Sequence, residues 1–170
     1  MSSTQIKAGD KFKGLAGLVP VLITIFFSIL MLLPVGTSAT MSIFPHLPMI
    51  AVFYWTAHRP LSMPLGAAAL VGLILDLWLG VPLGLNILLL VTMRMFVIAQ
   101  LKYFKGRSVL VYWAIFSLSC LALFAMSWII ASYATSSFAP VGPLFNQALV
   151  TIVVYPIISW ILTRARAAWT

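Results

Sequence analysis

Gly72–Leu73–Ile74–Leu75–Asp76–Leu77–Trp78–Leu79–Gly80–Val81–Pro82–Leu83–Gly84–Leu85–Asn86 is the stretch whose reading decides how this chain is laid out. Asp76 is the only carboxylate side chain beyond residue 10, and its surround is apolar. Gly80, Pro82 and Gly84 punctuate two long hydrophobic runs. Glycine and proline at that density mark a tight reversal, since one permits unusual backbone angles and the other fixes them. The stretch reads as two membrane helices joined by a very short loop, with an acid just before the loop.

Composition sets the class. Apolar residues make up 63% of 170 positions and charged residues 7%, with a mean hydropathy of +1.14. A soluble domain carries roughly 25% charged residues, so this chain could not cover a water-facing surface. The expectation is an all-α integral membrane protein. The ten basic against two acidic residues do not indicate nucleic-acid binding, because they lie in short clusters between apolar runs rather than on one face. Cys120 stands alone in an apolar run, which excludes an intrachain disulfide and a cysteine-based metal site.

Working outward from the hairpin, each crossing takes about 20 residues plus a short loop. The polar, basic segment 1–13 reads as a cytoplasmic tail and 14–163 as one transmembrane domain of six helices. Its spans fall at about 14–35, 44–58, 62–79, 83–101, 108–132 and 144–162, and 164–170 forms a second basic tail. The first run is longer than the roughly 7–15 residues of a signal-peptide core and reads as a retained span. The second span is short and Pro-interrupted: Pro45 and Pro48 imply non-helical backbone at its start. Phe53, Tyr54 and Trp55 near Arg59 read as an interfacial aromatic anchor. In the third span, Ala68 and Gly72 give small residues at i, i+4 spacing that let another helix approach closely.

Charge tests the span count. Loops 36–43, 80–82 and 133–143 carry no Lys or Arg. The tails and the other loops carry Lys7, Lys11, Lys13, Arg59, Lys102, Lys105, Arg107, Arg164 and Arg166. The positive-inside rule then puts both termini in the cytoplasm.

Asp76 and Arg94 are the formal charges inside spans, where each costs at least ~2.5–3.5 kcal/mol at mid-helix. In a hairpin turning near residue 81, Asp76 lies level with about Asn86. Arg94 lies eight residues further, or about 12 Å at 1.5 Å per residue. A contact of Asp76 with Asn86 is therefore expected. Arg94 should reach another span or snorkel to the cytoplasmic interface. Asp76 reads either as a ligand, proton or partner contact near the outer face, or as an acid that fixes the hairpin by accepting N–H bonds from the loop. His46 and His58 have no second His, Cys or carboxylate at ligand spacing, so no metal is expected. No base–nucleophile set, phosphate-cradling glycine loop or cofactor box is present, and an enzyme is the poorest class.

Two patterns resemble the bacterial rod shape-determining MreD family. One is Pro48 followed by Phe53-Tyr54-Trp55 and Arg59-Pro60; the other is Gly72-x-x-x-Asp76-Leu77-x-x-Gly80-x-Pro82-Leu83-Gly84. Asn86 departs from the family, many members of which carry a larger or basic polar residue there. The resemblance implies a non-enzymatic component of the cell-elongation machinery that associates with MreC. Through MreC it would connect to MreB filaments and to the glycosyltransferase–transpeptidase pair of lateral peptidoglycan synthesis. It also implies a fold similar to the six-helix S components of energy-coupling-factor vitamin transporters.

The candidate set for partner binding or hairpin structure is thus Ala68, Gly72, Asp76, Gly80, Pro82, Gly84, Asn86 and Arg94, with membrane lipids as further partners and no cofactor. The competing function is a substrate-binding S-type transporter subunit. For that reading the chain offers Asp76, Asn86, Asn146 and Gln147, a thin set for selective recognition.

Overall fold

The computed structural model describes residues 18–31, 44–104, 108–134 and 141–167. The tail 1–13, the loop 36–43 and the cations Lys105 and Arg107 lie outside the described residues. Among the described residues there are six α-helices: α1 Leu18–Met31, α2 Leu47–His58, α3 Leu65–Leu79, α4 Leu85–Phe104, α5 Val109–Ala134 and α6 Val141–Ala167. Three of them (α4, α5 and α6) are long and apolar enough to cross a membrane. A 3₁₀ turn, Pro60–Ser62, joins α2 to α3.

The short helix α2 is the centre of the bundle. Its twelve residues rise about 18 Å at 1.5 Å each, and Leu47 through Thr56 are all buried. A helix apolar on every side has no face to give to solvent and must be enclosed by other helices. It packs on α4 and α6. Phe53 meets Phe116 of α5 and Tyr155 of α6 edge-on, at ring separations of 5.1 and 5.7 Å, while Phe116 and Tyr155 stack at 4.4 Å. Two expectations are corrected here. Phe53, Tyr54 and Trp55 are core residues, 0–2% exposed, not an interfacial anchor. The prolines do not interrupt the helix: Pro48 sits in the first turn, where its missing N–H is not needed, and non-helical backbone is confined to Phe44–His46.

Contacts give the directions of the helices. The residue before α2, His46, bonds to Asn86 at the start of α4, and Tyr54 late in α2 bonds to Thr163 late in α6 at 2.9 Å. Helices α2, α4 and α6 therefore run the same way. Early α2 meets late α5 (His46 with Phe124) and late α2 meets early α5 (His58 with Tyr112), so α5 runs opposite. Helix α6 continues to Ala167 and carries Arg164 and Arg166 in its last turn rather than in a tail.

Helix α3 buries a narrow face of small and medium residues (Ala68, Val71, Gly72, Leu75 and Asp76) and exposes Leu70, Leu73, Leu77 and Trp78. Packing on α4 is close enough that a Cβ at Gly72 would stand 2.5 Å from Ile87 Cα and 2.6 Å from Ile87 N. Only glycine fits against backbone at that range. The turn follows from two positive-φ residues, Gly80 (62°), which ends α3, and Gly84 (99°), which leads into α4.

Candidate functional site

Asp76 lies in the last turn of α3, facing the first turn of α4, where the opening amides of a helix have no partner of their own. Its Oδ2 accepts from Gly84 N at 2.9 Å and from Ile87 N at 3.4 Å. Its Oδ1 accepts from Asn86 N at 2.8 Å and Asn86 Nδ2 at 3.0 Å. The side chain is 1% exposed. Four N–H donors and the positive end of a helix thus replace the water that the carboxylate has left.

The network then leaves the hairpin. Because both Asp76 oxygens face N–H groups, Asn86 must turn its amide nitrogen to Asp76 and its carbonyl away. That carbonyl oxygen lies 3.0 Å from His46 Nε2. Two acceptors cannot bond, so the His46 proton sits on Nε2. The His46 backbone N–H donates to Thr151 Oγ1 of α6 at 2.9 Å, and that hydroxyl donates to Gln147 O at 2.6 Å. One connected path therefore runs α3–α4–α2–α6. It leaves His46 Nδ1 buried without a hydrogen-bond partner among the described residues.

The structure brings Gly84, Asn86 and Asp76 together, with Gly80 and Pro82 in the turn around them and Ala68 and Gly72 on the α3–α4 contact below. Arg94 belongs elsewhere. Half-buried in mid-α4, it donates from Nε to Met63 O at 2.5 Å, pinning the α2–α3 connection. The hairpin is thus fastened twice, by a carboxylate on amides at its closed end and by a guanidinium on a carbonyl at its open end. We expect Arg94→Leu to leave that carbonyl unpaired and destabilise the fold by about 1–2 kcal/mol. Hydrogen exchange should then quicken at the Ser62, Met63 and Leu65 amides; unchanged exchange there would remove the clasp.

His46 and Thr151 are members of the network that sequence reasoning did not place. A polar side chain heading a helix with no other polar face is a signal that it has a partner within the bundle. Most other hydroxyls have a local use. Thr24, Ser28, Ser117 and Ser119 each donate to the carbonyl four residues back, satisfying themselves within one helix. A cavity of about 330 Å³ between α5 and α6 is walled by apolar and aromatic side chains such as Leu121, Phe124, Trp128, Leu144 and Phe145. None of Asp76, Asn86, Asn146 and Gln147 lines it.

These features define a helical membrane protein whose buried polar side chains tie helices together. The chain matches the family of the rod shape-determining protein MreD over residues 10–164, nearly its whole length. It belongs to the MreD family, membrane proteins of the system that determines rod shape. Neither a curated protein nor a solved structure matches the chain.

Proposed function

We propose that the chain is a non-enzymatic scaffold subunit of the bacterial cell-elongation complex, crossing the inner membrane six times with both termini in the cytoplasm. In this reading it binds MreC and, through MreC, helps couple MreB filaments to the glycosyltransferase–transpeptidase pair of lateral wall synthesis. The observation that carries it is the use of the polar residues. Asp76, Asn86, His46 and Thr151 are used to hold four helices together, and the cavity between α5 and α6 offers a ligand no charged group. A rigid bundle with large apolar outer faces suits a surface that other membrane helices pack on. The six-span topology is supported by where cations fall: Arg59, Lys102, Arg164 and Arg166 all lie at the C-terminal ends of the parallel helices α2, α4 and α6. An arrangement like that of S components is compatible with the short, enclosed α2.

A tagged chain recovered in mild detergent from its native membrane tests the proposal by what accompanies it. MreC and the wall-synthesis enzymes should co-purify. Recovery of an ATPase module with its coupling membrane protein would overturn the scaffold in favour of a transporter subunit.

A further inference from the structure

At the C-terminal ends of α4 and α6 the same device occurs twice. Arg164 holds its guanidinium carbon 5.3 Å from the centre of the Trp160 ring, and Lys102 holds its ammonium 5.0 Å from that of Tyr103. These rings are not core residues: Trp160 is 60% and Tyr103 53% exposed. Each cation also ends an exposed apolar stripe at helical spacing. On α6 the stripe is Val153, Ile157, Ile161, and on α4 it is Met95, Ile98. Among the described residues no carboxylate lies at this end, since Asp76 is fastened at the opposite end of the hairpin.

A lone cation at a helix C-terminus would offset the helix dipole. The dipole amounts to about half a charge, which leaves each site net positive. The aromatic ring holds the cation beside the stripe rather than free in water. We propose that these two helix ends are headgroup sites for anionic phospholipids, with Lys102 and Arg164 taking the phosphate and the stripes below taking acyl chains. Continuity between cation and stripe selects a lipid over an acidic protein segment, which would have no use for apolar surface running down into the hydrocarbon. A zwitterionic headgroup brings its own ammonium against Lys102 or Arg164 and so binds less well. The assignment to the cytoplasmic leaflet rests on the topology proposed above; the headgroup chemistry does not.

The test reconstitutes the whole chain in bilayers of equal phosphatidylglycerol and phosphatidylcholine, then counts co-released lipids by native mass spectrometry. The wild type should retain phosphatidylglycerol in excess. Lys102→Gln and Arg164→Gln should each remove about half of that excess and the double variant should cut it about fivefold; Arg164→Lys should keep it, and thermal unfolding should not move. No preference in the wild type, or an unchanged preference in the double variant, would overturn the sites. A protein partner lost in the double variant with lipid retention intact would also overturn them, in favour of an acidic protein contact. A wild type that shows no phosphatidylglycerol preference but still co-purifies with MreC removes these sites alone; a wild type that keeps the preference but recovers no MreC removes the scaffold alone.

Discussion

Asp76→Ala should lower the unfolding free energy of the detergent-solubilised protein by about 3 kcal/mol or more, because it strips the acceptor from four donors in a buried site. Gly84, Asn86 and Ile87 amides would lose it together, and the Asn86 side chain would lose the contact that orients it toward His46. The more telling variant is Asp76→Asn. An amide of the same shape has one oxygen, and that oxygen can serve the Gly84/Ile87 pair or the Asn86 pair, but not both. Its NH₂ must then face N–H groups. The asparagine variant should therefore recover little of the lost stability, as read by denaturant titration in micelles. Full recovery would mean that shape, not acceptor number, is what the site needs. For the proposed scaffold, MreC recovered per molecule of folded variant separates a lost contact from lost abundance.

Gly72→Ala is the second large effect. One methyl group placed 2.5–2.9 Å from the Ile87 and Asn86 backbone has no flexible neighbour to displace. Helix α3 must move off α4, at about 2–3 kcal/mol. Since the Asp76 contacts lie one turn further along α3, the same movement should lengthen them and weaken protection at the Asn86 and Ile87 amides. Gly66→Ala is the matched control, six residues away on the same helix with nothing within 4 Å of its Cβ. It should be neutral or stabilise by up to about 1 kcal/mol through helix propensity. Equal effects at the two positions would contradict the close approach.

The Asp76–Asn86 contact was legible in the sequence because a hairpin with a short turn leaves little choice of register. Counting back from the loop puts residues 76 and 86 level. Arg94 was legible only by elimination: its distance from Asp76 follows from helical rise, but its acceptor is a main-chain carbonyl, which no residue type announces. The place of α2 was not legible. Lipid and protein interior are both apolar, so Leu47 to Thr56 looks the same whether it faces one or the other. Aromatic residues beside an arginine suit an interface as well as a core. The His46 contact was out of reach for a different reason, its partner Thr151 being 105 positions away on the chain.

That separation bears on biosynthesis. The central helix leaves the ribosome well before α6, is too short to sit stably in a bilayer alone, and makes its bonds to α6 across 105 and 109 residues. Until α6 emerges, the His46 amide lacks its Thr151 acceptor and the Tyr54 hydroxyl its Thr163 contact. The bundle thus closes only once α6 has been made, rather than helix by helix. A chain cut short before α6 is a nascent intermediate with an exposed core helix, and membrane proteases would have that to degrade.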